Sequence, residues 1–210
     1  MMIRRNEDAA EARRLEALWA GGFGDAYISR NASAAQGRDG FWDAALRKYA
    51  PRSVLEIGCS TGPNLAWIAR AVVPSCIVGI DISERALREL AAAAPGVRPV
   101  LGQARRLPFA DARFDLVFTA GVLIHQPDDT LAAVMDEIVR CSGRYVLCME
   151  YFAESRVEVP YRGQSGALFK RNYGRLYGER HPELMLRERG FLPRGQGWDD
   201  VTFWWFEKRG

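Results

Sequence analysis

The residues best suited to chemistry in this chain cluster where apolar runs end. Val54-Leu55-Glu56-Ile57-Gly58-Cys59-Ser60-Thr61-Gly62-Pro63-Asn64 reads as a strand, a tight turn of small residues and a helix start. Glycine carries no Cβ, so a ligand can approach the backbone at Gly58 and Gly62, and the helix N-terminus that follows offers free N–H groups. Asp81, with Ile82 after it, closes the next apolar run, where a carboxylate can accept hydrogen bonds from both hydroxyls of a ribose. His125 is one of two histidines and lies just past the fourth run. An imidazole titrates near neutrality and suits a general base, with Glu150 or Tyr151, after the fifth run, in support. His181 stands before Pro182 at what reads as the start of the last helix, which makes it the weaker candidate.

These positions need a frame. Ser53–Gly58, Cys76–Asp81, Val97–Leu101, Phe114–Thr119 and Arg144–Met149 read as five strands, and Gly190–Leu192 and Asp200–Glu207 as a closing antiparallel pair. Asn64–Ala71, Ser83–Ala94 and Pro127–Cys141 between them space apolar residues as helices do. Strands this apolar, alternating with helices, imply a mostly parallel sheet covered on both faces. Ser83 is placed to cap its helix, and Pro127 followed by Asp128 and Asp129 suits a first turn. Before the sheet, Glu7–Trp19 is amphipathic, and Gly21-Gly22-Phe23-Gly24 breaks it. The expected layout is a helical cap over residues 1–50 and a core over 51–210, with an insertion at about 150–177.

A dinucleotide fingerprint needs glycine at 58, 60 and 63, but Ser60 and Pro63 occupy two of these positions. The segment instead resembles motif I of the class I S-adenosylmethionine-dependent methyltransferases, E/D-x-G-x-G-x-G, matched by Glu56, Gly58 and Gly62 with Ser60 in place of the middle glycine. Gly102-Gln103-Ala104 resembles the third motif of that family, where a polar residue meets the adenine. Phe114–His125 resembles the fourth, which implies that Thr119 to Gly121 pass close to the methionine end of the cofactor. Trp19-Ala20-Gly21-Gly22-Phe23-Gly24-Asp25-Ala26-Tyr27-Ile28-Ser29-Arg30-Asn31 resembles the opening of the pseudaminic acid biosynthesis-associated methylases. Phe169–Gly174 and Asp199–Lys208 are similar to other parts of that family. The resemblance implies a Rossmann-like fold of seven strands with an antiparallel last strand, and S-adenosylmethionine as cofactor. It also implies a lid in which Trp19, Phe23, Tyr27 and Arg30 touch the cofactor.

Composition narrows the partners. A net charge of +3 over 210 residues, 48% of them hydrophobic and 26% charged, gives no reason to expect nucleic acid. No run approaches the roughly 18 apolar residues of a membrane span. Cys59, Cys76, Cys141 and Cys148 form no C-x-x-C pair, so neither a zinc site nor any other metal site is expected, and reduced thiols fit a cytoplasmic chain. The Asn31-Ala32-Ser33 sequon then carries no meaning. Glu150–Tyr177 is too long for an ordinary strand-to-helix connection, and its Tyr151, Tyr161, Arg162, Gln164, Lys170, Arg171 and Tyr173 suit a small polar acceptor. The expected protein is a monomer or homodimer that methylates oxygen or nitrogen of a small metabolite, with a sugar or sugar nucleotide in view. The alternatives are a nicotinamide-dependent oxidoreductase and a non-catalytic module that binds the cofactor.

Overall fold

The computed structural model describes residues 2–31 and 37–209, with side chains from residue 10 onward; Ala32 and Ser33 of the sequon lie outside it. Seven strands form one sheet: β1 (Val54–Ile57), β2 (Ile77–Asp81), β3 (Arg98–Leu101), β4 (Phe114–Ala120), β5 (Ser142–Glu150), β8 (Leu184–Leu192) and β9 (Val201–Lys208). Their spatial order is β3-β2-β1-β4-β5-β9-β8. The first five are parallel, while β9 runs antiparallel to both β5 and β8. Two short strands, β6 (Val157–Glu158) and β7 (Phe169–Lys170), make a separate antiparallel ribbon inside the insertion.

The parallel strands are buried on both faces, which is why they are apolar without a break. Val54, Leu116, Phe118 and Leu147 face one core with α3 (Asp39–Tyr49), α4 (Pro63–Ile68) and α5 (Glu84–Ala93). Leu55, Ile57, Val117 and Val146 face the other, with α6 (Asp128–Cys141) and α7 (Tyr173–Arg180). In the first core, Tyr49 of α3 stacks on Trp205 of β9 at 4.0 Å between centroids, and Trp42 lies 5.1 Å from Phe118. α3 is therefore part of the layer that covers the sheet. Ser83 caps α5 by accepting the N–H of Ala86 at 3.2 Å. All four cysteines are free.

The glycines after Trp19 break the first helix, as expected: α1 (Met2–Ala20) ends before Gly21, and a second helix, α2 (Gly22–Arg30), begins at once. Gly24 is needed there for close approach, because a Cβ at this position would lie 1.9 Å from the carbonyl oxygen of Trp19. The last helix does not begin at His181-Pro182 but ends there. Asn172 caps α7 by accepting the N–H of Arg175, and His181 follows its last turn. The expected strand at Gly190–Leu192 is present and starts earlier: residues 184–189 are also drawn into β8 by pairing along β9, a tertiary gain that local spacing does not reveal.

Candidate functional site

The turn after β1 is tied to the end of β2. Gly58 and Cys59 donate their N–H groups to the carbonyl of Ile80, at 2.8 and 3.2 Å. Asp81 completes the link: its Oδ2 accepts the N–H of Ser60 and its Oδ1 that of Ser83, both at 2.8 Å. Ser60 holds a positive φ of 50° and Gly58 one of 67°, so the turn doubles back tightly enough to present its backbone to the space above. Burial pushes the Asp81 carboxyl up, and the N–H groups of Ser83, Ser60 and Ile82 hold it down. Each oxygen keeps a lone pair for a further donor.

Above this turn lies a cavity that opens to solvent, about 1050 Å³ with the open space at its mouth included. Gly58, Ser60, Asp81, Ile82, Gln103, Ala104, Gly121, His125 and Trp19 all line it. α1 and α2 roof it and are pinned at three places. Glu16 pairs with Arg105 at 2.6 Å, Arg85 donates to the carbonyl of Asp25 at 3.1 Å, and Arg14 donates to that of Ser165 at 3.2 Å. Trp19 is the centre of an aromatic cluster, 5.3 Å from Phe23, 5.5 Å from Tyr27 and 4.5 Å from His125. Its indole N–H is buried without a partner. A buried donor left unpaired in a cavity wall is a place for a ligand acceptor.

His125 closes a single 3₁₀ turn, Leu123–His125, directly after β4. Its Nδ1 is 2.5 Å from the carbonyl oxygen of Ala167 in the insertion. A carbonyl only accepts, so Nδ1 carries the proton and Nε2 holds the free lone pair. Burial pushes this imidazole down to about 4, against the pull of the Ala167 carbonyl.

Other expected site residues sit elsewhere. Glu150 is fully buried and does not line the cavity. Its carboxylate accepts the N–H groups of Val122 (3.2 Å), Leu123 (3.1 Å) and Ile124 (3.2 Å), and so holds the turn that carries His125. Burial raises it to about 7, and these N–H groups oppose the rise. Tyr151 is half-buried between the two cores, and Thr119 is buried in β4. Gly62 serves packing, since a Cβ there would lie 2.2 Å from Leu90 Cδ1. Glu56 is buried under α4, where Oε1 accepts from Asn64 at 2.6 Å and Oε2 has no partner. Arg30 lines a second cavity with Arg38. Arg38 and Asn64 escaped the sequence reading because they meet across 26 residues of chain. Among the described residues no group of three or more potential ligands could hold a metal, and no helix is long and apolar enough to cross a membrane.

This fold is that of the class I methyltransferases, and residues 54–143 match the sequence family described as methyltransferase domain. Demethylmenaquinone methyltransferase of Staphylococcus aureus is 32% identical over 141 residues, which cover 65% of this chain and 56% of that protein. A 37.1 kDa transposon protein of Streptomyces fradiae is 35% identical over 108 residues, covering 49% of this chain and 31% of that protein. The chain thus spans less than two thirds of these curated relatives. Among solved structures, the Burkholderia thailandensis 1,6-didemethyltoxoflavin-N1-methyltransferase, bound to 1,6-didemethyltoxoflavin and S-adenosylhomocysteine, superposes with a TM-score of 0.73. It is 17% identical, and the match covers 98% of this chain and 90% of that one. The magnesium protoporphyrin IX methyltransferase of Synechocystis, with bound S-adenosylmethionine, gives a TM-score of 0.69 at 13% identity over 95% of this chain and 97% of that one.

Proposed function

We propose that the chain is an S-adenosylmethionine-dependent methyltransferase acting on a small polar metabolite, with a sugar or sugar nucleotide as the acceptor class. The observation that carries this reading is Asp81 in the wall of the roofed cavity, both oxygens anchored by backbone N–H groups and both still able to accept. The residues fit the cofactor. Asp81 meets a ribose, Gln103 and Ala104 meet the edge of a purine, and the unpaired Trp19 N–H adds a donor. Bound there, the cofactor supplies a methyl group made electrophilic by its sulfonium.

The rest of the chemistry falls to the chain. The neutral His125, its Nδ1 held by Ala167, keeps a lone pair at Nε2 to take the proton of an acceptor hydroxyl or amine. Glu150 positions it through the backbone of residues 122–124. The aromatic cluster around Trp19 limits water. Three of the proteins named above, whose names give demethylmenaquinone, 1,6-didemethyltoxoflavin and magnesium protoporphyrin IX, support a small acceptor; the sugar class rests on the sequence resemblance and on the polar insertion. A nicotinamide dinucleotide fits poorly, because the Ser60 N–H is already given to Asp81 and the Gly62 N–H to the carbonyl of Cys59 at 2.9 Å. A pyrophosphate would find neither.

Titration calorimetry with S-adenosylhomocysteine tests the donor site. The wild type should bind, and Asp81→Ala should lose about tenfold or more in affinity. Labelled cofactor incubated with fractionated metabolites should then mark the acceptor. Absence of binding by the wild type would remove the proposal.

A further inference from the structure

The insertion between β5 and α7 is a ribbon held at three places. At its open end Arg156 stands before β6 and Arg171 after β7, and both reach one carboxylate. Arg171 Nη2 donates to Oδ1 of Asp128 at 2.6 Å, and Arg156 Nε lies 2.9 Å from Oδ2. Both guanidiniums also lie over the Phe169 ring, 4.6 and 4.5 Å from its centroid. At the far end Tyr161 and Gln164 close a tight turn, each donating its N–H to the other's carbonyl, at 3.1 and 2.9 Å. Arg162 and Gly163 between them hold positive φ values of 50° and 78°, as such a turn requires. It carries the Tyr161 ring to Trp19 and His125. Midway, Ala167 is fully buried, and its carbonyl oxygen meets Nδ1 of His125.

The clamp at the open end differs from an ordinary surface ion pair. The Asp128 side chain is 63% exposed, but that of Arg171 is only 5% exposed. A buried guanidinium is costly without its partner, so this pair holds more firmly than two solvated groups would. Asp128 is the first residue of α6, three positions after His125, so clamp and imidazole share one short stretch of backbone. On the ribbon, Arg171 and Ala167 are joined through β7, which leaves little slack between them. Asp128 itself does not line the cavity.

We propose that Asp128, gripping Arg156 and Arg171, is a positioning residue that sets the proton of His125 on Nδ1. It seats the ribbon so that the Ala167 carbonyl faces that nitrogen and Nε2 keeps its lone pair. The hydrogen bond made by one ring nitrogen decides which of the two is protonated. A ribbon that lifts takes this acceptor away, and a proton on Nε2 then blocks the base. The use of Nε2 as base rests on the methyltransferase reading above; the place of the proton does not.

Nitrogen-15 NMR of the histidine rings reads the tautomer with neither cofactor nor acceptor present. The chain has two histidines, so a His181→Gln sample identifies the His125 ring. At pH 7 the wild type should carry its proton on Nδ1. Asp128→Asn keeps the size of an exposed side chain and removes its charge, and it should turn the single form into a mixture with the Nε2-protonated one. Arg156→Gln, also exposed, should give a smaller shift in the same direction, and Asp128→Glu should restore the wild-type signal. Asp136→Asn, on the same helix but paired with Arg180, should leave His125 unchanged. Methyl transfer to the metabolite fraction that the wild type labels should fall about tenfold in Asp128→Asn, with S-adenosylhomocysteine bound as in wild type. Where Asp128→Asn does not fold, as its Tm would show, Arg156→Gln decides alone. A wild type protonated on Nε2, or a His125 signal unmoved in Asp128→Asn and Arg156→Gln alike, would overturn the clamp. Failure of the wild type to bind S-adenosylhomocysteine would instead overturn the methyltransferase reading, and the tautomer would still decide the clamp.

Discussion

Trp19 packs on His125, with ring centroids 4.5 Å apart and planes tilted by 53°. The same two rings share Tyr161 of the insertion, 5.4 Å from His125 and 6.5 Å from Trp19. The roof helix, the turn after β4 and the insertion therefore meet at one aromatic contact beside the cavity.

That contact predicts a graded response. Trp19→Ala removes several ring pairs, each worth about 0.5–1.5 kcal/mol, and loosens the roof. Affinity for S-adenosylhomocysteine should fall about tenfold. Trp19→Phe keeps most of the packing and loses only the unpaired N–H, so it separates the two roles. Affinity near that of wild type would assign the residue to packing, whereas a loss equal to that of Trp19→Ala would assign it to a polar contact with the ligand.

The pH profile follows from the burial of His125. With its imidazole pushed down to about 4, Nε2 stays unprotonated throughout the neutral range. The acid limb of kcat/KM, which reports the free enzyme, should fall below about pH 5, not near the 6.5 of an exposed histidine. His125→Ala should lower kcat strongly and leave cofactor affinity nearly intact. A limb at 6.5, or full activity in the variant, would exclude His125 as the base.

Much of this was legible in the sequence because it is local. The strands, the capped helices and the Gly58–Gly62 turn are written in runs of neighbouring residues, and Asp81 and His125 follow from their places at strand ends. What was not legible is what distant segments decide together. Glu150 was expected at the acceptor in support of His125, yet it lies away from the cavity and holds backbone N–H groups 26–28 residues away. Arg30 looked like part of the roof, yet it opens onto the second cavity. Arg38 belongs to no periodic pattern or motif, and Asn64, though it closes the motif segment, gave no sign that it would bridge Arg38 and Glu56. The end of β8, Gly190–Leu192, was legible as a strand, but residues 184–189 were lost to a helix because their partner, β9, lies later in the chain.

Glu56 predicts how stability varies with pH. Burial raises its carboxyl from the ordinary 4.5 to about 8, with the Asn64 hydrogen bond as the main opposing influence. Between those values the folded chain holds a proton that the unfolded chain has released, so stability is fully present below 4.5 and is lost as pH rises through 8. Glu150, raised to about 7, contributes with the same sign. His125 has the opposite sign and only below about 6.5. Glu56→Gln can still accept from Asn64 but has no proton to lose. Urea midpoints at about pH 6 and pH 9 should therefore drop for the wild type and drop less for Glu56→Gln, by on the order of a kcal/mol or more. Equal drops would mean that Glu56 is not held neutral in the fold.

Gly58 predicts that the turn and the His125 loop are mutually fitted. Its φ is +67°, and a Cβ built there would stand 2.4 Å from Cγ2 of Val122, the residue whose N–H Glu150 holds. Gly58→Ala therefore adds two costs, a left-handed backbone that alanine resists by about 1–2 kcal/mol and a clash with a side chain that cannot easily move. Val122→Ala alone should cost a modest amount of packing. Combined with Gly58→Ala it removes the clash but not the backbone strain, so the double variant should be more stable than the sum of the single effects predicts. Chemical denaturation of the four proteins gives the coupling. Simple additivity would show that the turn and the loop are not in contact, and with that the path from Glu150 through Val122 to the cavity floor would be lost.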